Sequence, residues 1–432
     1  MKIFETGRDA YEEICKALGP QATTFDRSVA EAVAAIIADV RSRGDQAVLE
    51  YGRKFDSPAL ESVAVEEAEV EAAYQEVGDG LLAAIRTAKA NIEEFHRRQL
   101  RNSWIDAQEG RLLGQIIRPL DRVGVYAPGG KASYPSTVLM SVVPARVAGV
   151  SEIALCAPAQ ADGRMSSAML VAAREAGAGK VFKAGGAQAI AAMALGTTIV
   201  PRVDKIVGPG NPYVTEAKRQ LYGLVGIDML AGPSEVLVLT DGAADPALVA
   251  ADLLSQAEHA EDSRPMLITT ERALAHEVLN EIKKQKALCS RGEIIDKSLG
   301  DFGVVVICRN IDEAIELANY CAPEHLELMV SDPWQILPRI RNAGAIMIGS
   351  DSTVSIGDYI AGPSHTLPTN GTARFSSPLC VDDFLKKSSI IWYSRAALAE
   401  AIKHIEDLAL AEGFDAHARA ARMRLSTGKE AT

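Results

Sequence analysis

Short apolar runs alternate with stretches of helical spacing over most of this chain. Between Ser151 and Thr240 the runs Ile153-Ala154-Leu155-Cys156, Val181-Phe182-Lys183 and Lys205-Ile206-Val207 read as strands. Helical stretches follow each of them, at Ser166 to Ala176, Ala187 to Leu195 and Tyr213 to Leu221, and Val236 to Thr240 closes the set. Alternation of this kind predicts a largely parallel sheet with helices on both faces.

A second alternating set runs on to Ile348. Ala243 to Glu258 reads as a helix with Asp245-Pro246 at its start. Met266 to Thr269, Val304 to Cys308, Leu326 to Val330 and Ala345 to Ile348 read as strands, with helices at Ala273 to Ile282 and Ile311 to Tyr320. Upstream, residues 1 to 24 read as an arm with one short helix stopped by Leu18-Gly19-Pro20. Asp26 caps a helix through Val29, Val33, Ile36, Ile37 and Val40, and three more helices fill the chain to about Leu100. The last is rich in Lys, Glu and Arg, and His96 on it reads as a surface histidine. Leu112 to Pro119 and Val123 to Ala127 read as strands. Residues 351 to 380 carry Gly, Pro, Ser and Thr without apolar periodicity, and a loop that long in a compact protein is usually functional. Helices from Ser394 to about Leu425 form a C-terminal tail. The expected fold is α/β: two Rossmann-like lobes with mostly parallel sheets, an N-terminal helical arm and a helical tail. Its expected boundaries are 1–24 for the arm, 25–119 with 238–380 for the first lobe, 120–237 for the second, and 381–432 for the tail.

Composition narrows the function. In 432 residues, 48% are hydrophobic but only 5% aromatic, so Ala, Val, Leu and Ile do the packing, as suits α/β architecture. The net charge of −12 argues against nucleic acid or an anionic membrane as partner, since either needs a basic patch. The start has no apolar run of signal-peptide type, and the apolar stretch from Val138 to Ala157 is broken by Pro144, Arg146 and Glu152. Six scattered cysteines without a CxxC fit a reduced cytoplasm.

Three glycine turns sit in the central part: Tyr126-Ala127-Pro128-Gly129-Gly130-Lys131, Ala184-Gly185-Gly186-Ala187-Gln188 and Val207-Gly208-Pro209-Gly210-Asn211. Two of them join a strand to a helix, where backbone N–H groups bind anions. None fits G-x-G-x-x-G or the P-loop pattern, so each is compatible with a plain tight turn; three on neighbouring strand ends favour a ligand.

The candidate chemistry lies at Ala322-Pro323-Glu324-His325-Leu326, a carboxylate and an imidazole at the mouth of an apolar strand. Such a pair moves protons near neutral pH, because His titrates near about 6.5 and burial raises Glu toward it. A Glu-His dipeptide alone is more often part of an ordinary polar loop. Cys321 stands close by as a possible thiol nucleophile, with nothing evident to lower its pKa. Gln256 and His259 share a helix face three residues apart, Asp358 lies near His365 in the long loop, and His417 is on the final helix. Together they could line one Zn²⁺ site, although no HExxH spacing supports it.

Taken in order, these stretches resemble the histidinol dehydrogenases nearly end to end. The resemblance is carried by Val123 to Gly130, Gly185 to Gln188, Gly208 to Asn211, Ala231-Gly232-Pro233-Ser234-Glu235, Asp252 to His259 and Ala322 to Leu326. It continues through Gly357-Asp358-Tyr359, His365 to Thr369, Gly371 to Phe375, and Ala411-Glu412-Gly413 with His417. Departures are small: Thr366, Asn370 and Asp382. The resemblance implies a cytoplasmic, NAD-dependent enzyme with one Zn²⁺ per subunit that oxidises L-histidinol to L-histidine. It implies Glu324 and His325 as the acid/base pair, and Gln256, His259, Asp358 and His417 as zinc ligands. Tyr126, Gln188 and Asn211 would line the NAD site, with Ser234, His365 and Glu412 near the substrate beside Gln256, His259, His325, Asp358 and His417. It also implies a homodimer whose tail reaches the partner's site. A family paralogue oxidising another alcohol to an acid is the nearest alternative, and a zinc hydrolase a more distant one.

Overall fold

The apolar runs lie side by side as parallel strands in the computed structural model, which describes residues 1–21, 26–129 and 133–426. In chain order the strands are β1 (Lys2–Glu5), β2 (Trp104–Gln108), β3 (Arg111–Pro119), β4 (Arg122–Tyr126), β5 (Glu152–Ala157), β6 (Lys180–Lys183) and β7 (Lys205–Val207). There follow β8 (Gly226–Ile227), β9 (Glu235–Thr240), β10 (Arg264–Thr269), β11 (Val304–Ile307), β12 (His325–Leu328), β13 (Ala345–Ile348) and β14 (Leu385–Tyr393). One sheet has the order β1-β11-β10-β9-β12-β13 and another β6-β5-β4-β7-β8, with every pair parallel. The third, β14-β3-β2, is antiparallel.

The inner strands read as unbroken apolar runs because both of their faces are covered. Val236 and Val238 of β9 enter one core with Leu253, Leu267 and Val305. Leu237 and Leu239, pointing the other way, enter a second core with Ile14, Leu18, Ile268 and Leu326. Period-two alternation thus feeds two layers from one strand.

The chain divides into two compact units. One comprises Met1–Gln99 and Leu120–Phe384 and holds both parallel sheets; the other comprises Leu100–Pro119 and the chain from Leu385 onward. In the second unit the nine-residue β14 pairs along all of β3 before the helices Arg395–Ala411 and Asp415–Ser426 begin. The helical tail therefore starts with a strand that its exposed, lysine-bearing sequence does not advertise.

Two further placements differ from the sequence expectation. Helices between residues 27 and 97 were grouped there with 238–380. Instead Val33, Ile36, Ile37 and Val40 pack with Ile190, Ala191, Met193 and Val214, against the five-stranded sheet. An apolar stripe announces that a helix packs, but not on which sheet. The N-terminal segment holds the expected helix, Tyr11–Leu18, and also β1, which pairs with β11 at the edge of the six-stranded sheet.

His96 is fully buried, not a surface residue. It continues the buried stripe Ile85, Ala88, Ile92 of helix Asp79–Arg97 at the i+4 position. Its Nδ1–H donates to the Ile92 carbonyl at 2.8 Å, and burial lowers its pKa. A histidine with a depressed folded pKa takes up protons more readily when unfolded, so its contribution falls as pH drops below about 6.5. The thermal midpoint is therefore expected to fall less between pH 7 and pH 5 in His96→Gln than in the unmodified protein. Scanning calorimetry at the two pH values checks this, and equal falls would remove His96 from the acid response.

Candidate active site

The acid–base pair stands at the amino edge of the six-stranded sheet. Helix Ile311–Cys321 ends at Ala322, whose φ of 49° is left-handed. That conformation costs an alanine roughly 1–2 kcal/mol, and Pro323 then prevents the helix from resuming. The turn delivers Glu324 to the residue before β12 and His325 to its first position. Gly344, leading into β13, passes so close that a Cβ there would lie 2.5 Å from the Glu324 carbonyl oxygen.

One residue of the neighbouring strand holds both side chains. The Glu235 N–H donates to Glu324 Oε2 at 2.8 Å, and His325 Nδ1–H donates to the Glu235 carbonyl at 2.9 Å. This second bond leaves Nε2 as the free lone pair of a neutral ring. His325 Nε2 is buried with no hydrogen-bond partner and lies 3.7 Å from Asp358 Oδ1. Burial pushes the Glu324 carboxyl up to about 7, although His325 opposes the rise. Burial alone would lower His325, but the carboxylates of Glu324 and Asp358 outweigh it and raise the ring to about 9.

Asp358 comes from the short helix Val354–Tyr359, inside the segment expected to be one long loop. Burial raises its carboxyl, but His325, His365 and His259 overcome this and hold it below the usual range. His365 is largely buried, with Nδ1–H donating to the Asp358 main-chain oxygen at 3.1 Å and Nε2 3.1 Å from Thr137 Oγ1. Gln256 is in the last turn of helix Pro246–Ala257, and His259 follows in the turn beyond it rather than on the helix itself. The His259 N–H donates to the Gln256 carbonyl at 3.2 Å. Burial around the His259 ring lowers its pKa, while Asp358 raises it.

Gln256 is 1% exposed, and neither atom of its amide group has a hydrogen-bond partner. A buried polar atom left unpaired costs about 1–3 kcal/mol. Two on one amide suit a polar or cationic ligand, and an amide oxygen with imidazole nitrogens and a carboxylate is a donor set that fits zinc. Among the described residues no three His, Cys, Asp or Glu side chains form a ready metal cluster. The expected set has only His259 and Asp358 of those types in this unit; its other members are an amide and His417.

His417 and Glu412 belong to the second unit. Both are exposed there: Glu412 ends helix Arg395–Ala411, and the His417 ring lies 5.3 Å from that of Phe414. Ser234 is half-buried just before β9, its carbonyl accepting the Arg264 N–H at 2.9 Å. Cys321 is buried, burial pushes its thiol pKa up, and its sulfur rests 3.8 Å from that of Met266. It has none of the thiolate character a nucleophile needs.

The expected nucleotide residues lie at the carboxyl edge of the five-stranded sheet. Tyr126 ends β4, and its hydroxyl oxygen accepts the Gly186 N–H at 3.1 Å. The Gly185 N–H donates to Asp56 Oδ2 at 2.9 Å, and the Gly208 N–H to Asp228 Oδ2 at 2.7 Å. Asn211 Oδ1 accepts from Tyr213 and Val214 and so caps its own helix. The chain's own groups thus fill the places where a phosphate would bind. Gln188 is the exception, because its Nε2 is buried and unpartnered. That donor fits a polar group of a dinucleotide. Gly130 and Lys131 of the first glycine turn lie outside the described residues.

Two acids that the sequence reading left without a role join the site's elements. Glu327, fully buried on β12, accepts the Val354 N–H at 3.1 Å, at the start of the helix that carries Asp358. Its partner Asp252 lies one turn before Gln256. Burial raises both carboxyls, and each one's proximity to the other favours a proton kept between them. A lone Glu in an apolar strand, two residues after His325, was the available signal.

Comparison with known proteins agrees over nearly the whole length. The family model described as histidinol dehydrogenase matches residues 20–425. The histidinol dehydrogenase of Geobacter sulfurreducens is 52% identical over 429 residues, covering 98% of this chain and 99% of that one. That of Moorella thermoacetica is 54% identical over 399 residues, covering 92% and 94%. The crystal structure of histidinol dehydrogenase from Elizabethkingia anophelis superposes with a TM-score of 0.93 at 37% identity, covering 99% of this chain and 98% of that one. Similarity this deep, and this nearly end to end, makes the chain a member of the histidinol dehydrogenase family of oxidoreductases.

Proposed function

We propose that this protein oxidises L-histidinol to L-histidine through L-histidinal, the last two steps of histidine biosynthesis. The observation that carries the reading is the buried Glu324-His325 pair, whose two members are held differently by Glu235. NAD⁺ would supply the hydride acceptor, at Tyr126, Gln188 and Asn211. Zinc would supply a Lewis-acidic centre that orients an imidazole-bearing substrate, at Gln256, His259, Asp358 and His417.

His325 Nε2 takes the alcohol proton as the first hydride leaves, because Nδ1 is committed to the Glu235 carbonyl. Glu324 then deprotonates the water that hydrates the aldehyde, ahead of the second hydride transfer. Each oxidation releases one NADH; the second consumes one water and yields the carboxylate. Ser234, His365 and Glu412 hold the substrate. A cation on Asp358 would weaken one of the two carboxylates, Glu324 and Asp358, that raise the His325 pKa, which favours the neutral ring that a base requires.

We read the active protein as a cytoplasmic homodimer in which His417 and Glu412 act on the partner's site. Exposed Trp104, Ile105, Ile391, Trp392, Leu408 and Phe414, all in the second unit, support a covered surface there. Six free cysteines fit a reducing compartment. No helix among the described residues is long and apolar enough to cross a membrane.

Two experiments test the reading. Glu324→Gln is expected to spare most histidinol oxidation and to lower histidinal oxidation about 10²- to 10⁴-fold, followed as NADH absorbance with each substrate. Histidinal oxidation by the unmodified enzyme should fall as pH drops below about 7, where the Glu324 carboxyl takes up its proton. Equal losses in both oxidations would refute the assignment of Glu324 to water. In the second experiment, His417→Ala is expected to lower zinc content and histidinal oxidation. Mixed dimers of His417→Ala with Glu324→Gln should then recover histidinal oxidation, since one site of each pair regains both groups. No recovery in verified mixed dimers counts against a shared site.

A further inference from the structure

Behind the acid–base pair lies a buried ion pair that the proposed reaction does not use. Arg264 is 1% exposed, and its Nη1–H donates to Glu235 Oε1 at 2.6 Å. Its Nη2–H groups donate to three carbonyls at the end of helix Tyr11–Leu18: Ala17 at 3.1 Å, Leu18 at 3.1 Å and Gly19 at 3.0 Å. Arg264 and Glu235 are direct partners in the parallel register of β10 and β9. Glu235 in turn offers its N–H to Glu324 and its carbonyl to His325.

We propose that Glu235 and Arg264 are positioning residues for Glu324 and His325, acting through the main chain of Glu235. The inference rests on the reading of Glu324 and His325 as the acid–base pair. A buried ion pair is weak support for stability, since apolar residues of similar volume often serve as well. It does specify one geometry, and here that geometry is the location of a single residue's N–H and carbonyl. The first occupies one Glu324 oxygen and leaves the other to meet water. The second fixes the His325 tautomer. Only a guanidinium fork reaches Glu235 on one side and three carbonyls on the other, because an ammonium has no planar pair of arms. The end of an N-terminal helix, Ala17 to Gly19, thereby becomes the anchor of the catalytic pair. A displacement of about 1 Å at reacting groups costs on the order of 10²-fold in rate, so a small shift of this peptide reaches the chemistry.

The test uses full-length, zinc-loaded enzyme and separate steady-state assays with histidinol and histidinal. Glu235→Ala is expected to lower kcat for both oxidations about tenfold or more per folded molecule, with KM within about threefold, because the adjacent substrate-holding Ser234 is tied separately, through its carbonyl, to the Arg264 main-chain N–H. Glu235→Gln keeps the oxygen that Arg264 grips and is expected to restore most of kcat. If Glu235→Ala does not fold, Glu235→Asp replaces it: it keeps the charge, shortens the arm, and should give the same fall in kcat at unchanged KM. A folded Glu235→Ala or Glu235→Asp with kcat near that of the unmodified enzyme overturns the proposal. So does a Gln variant as impaired as the Ala variant, or a loss confined to KM. Retention of histidinal oxidation by Glu324→Gln sinks the underlying reading, and this inference with it; loss in Glu324→Gln with normal Glu235 variants sinks this inference alone.

Discussion

The register between β9 and β12 is what the site depends on. His325 pairs with Val236, so Glu235 lies one residue ahead of the ladder at the sheet's amino edge. There the Glu324 side chain, which precedes β12, takes its N–H, and the His325 side chain, which opens β12, donates to its carbonyl. A slip of one residue would turn Glu235 over and send its side chain to the opposite face. The apolar layers on both faces prevent the slip, because Val236 and Leu237 feed different cores. Hydrophobic packing thus sets the tautomer of a histidine.

This location departs from the usual behaviour of parallel sheets, whose ligands sit beyond the carboxyl ends of the strands. The nucleotide residues proposed for the five-stranded sheet are on that side, with Tyr126, Gly185 and Gly208 all at or just past strand ends. The six-stranded sheet contributes its opposite edge, where Glu235, Arg264 and His325 open β9, β10 and β12. The two edges meet through His365, which reaches Thr137 in the first turn of the helix after β4. Asp358, His259 and Gln256 come from segments packed beside the second edge, so side chains from distant parts of the sequence gather without any long regular element carrying them.

Much of this was legible in the sequence, for physical reasons that also explain the rest. Doubly covered strands must be apolar throughout, so β5, β9, β10 and β11 declare themselves. The Glu324-His325 pair stands out because polar groups at the mouth of such a strand need a purpose. β2 and β14 lack that signature; both are largely exposed in the second unit, and an exposed strand reads like a loop. His96 was misplaced because its charged neighbours outweighed a four-residue spacing from Ile92. The Gln256-to-His259 spacing was right, but the helix ends between them. Roles for Glu235, Arg264, Asp252 and Glu327 could not be read at all. Each depends on a partner far along the chain, and register is not written locally.

The charge balance of the site shows why its protonation and its occupancy belong together. Arg264 neutralises Glu235, and no other arginine or lysine pairs with the remaining carboxyls among the described contacts. Glu324, Glu327, Asp252 and Asp358 are left with imidazoles and with one another. Burying carboxylates without cations is unfavourable, and burial pushes the Glu324 carboxyl up to about 7 and raises those of Asp252 and Glu327. Asp358 alone stays low, because three histidines surround it. A cation bound at Asp358 would compete with those histidines and oppose the protonation of His325 by direct repulsion. Positive charge beside Asp358 would therefore lower the proton affinity of His325, the direction that the proposed base role requires.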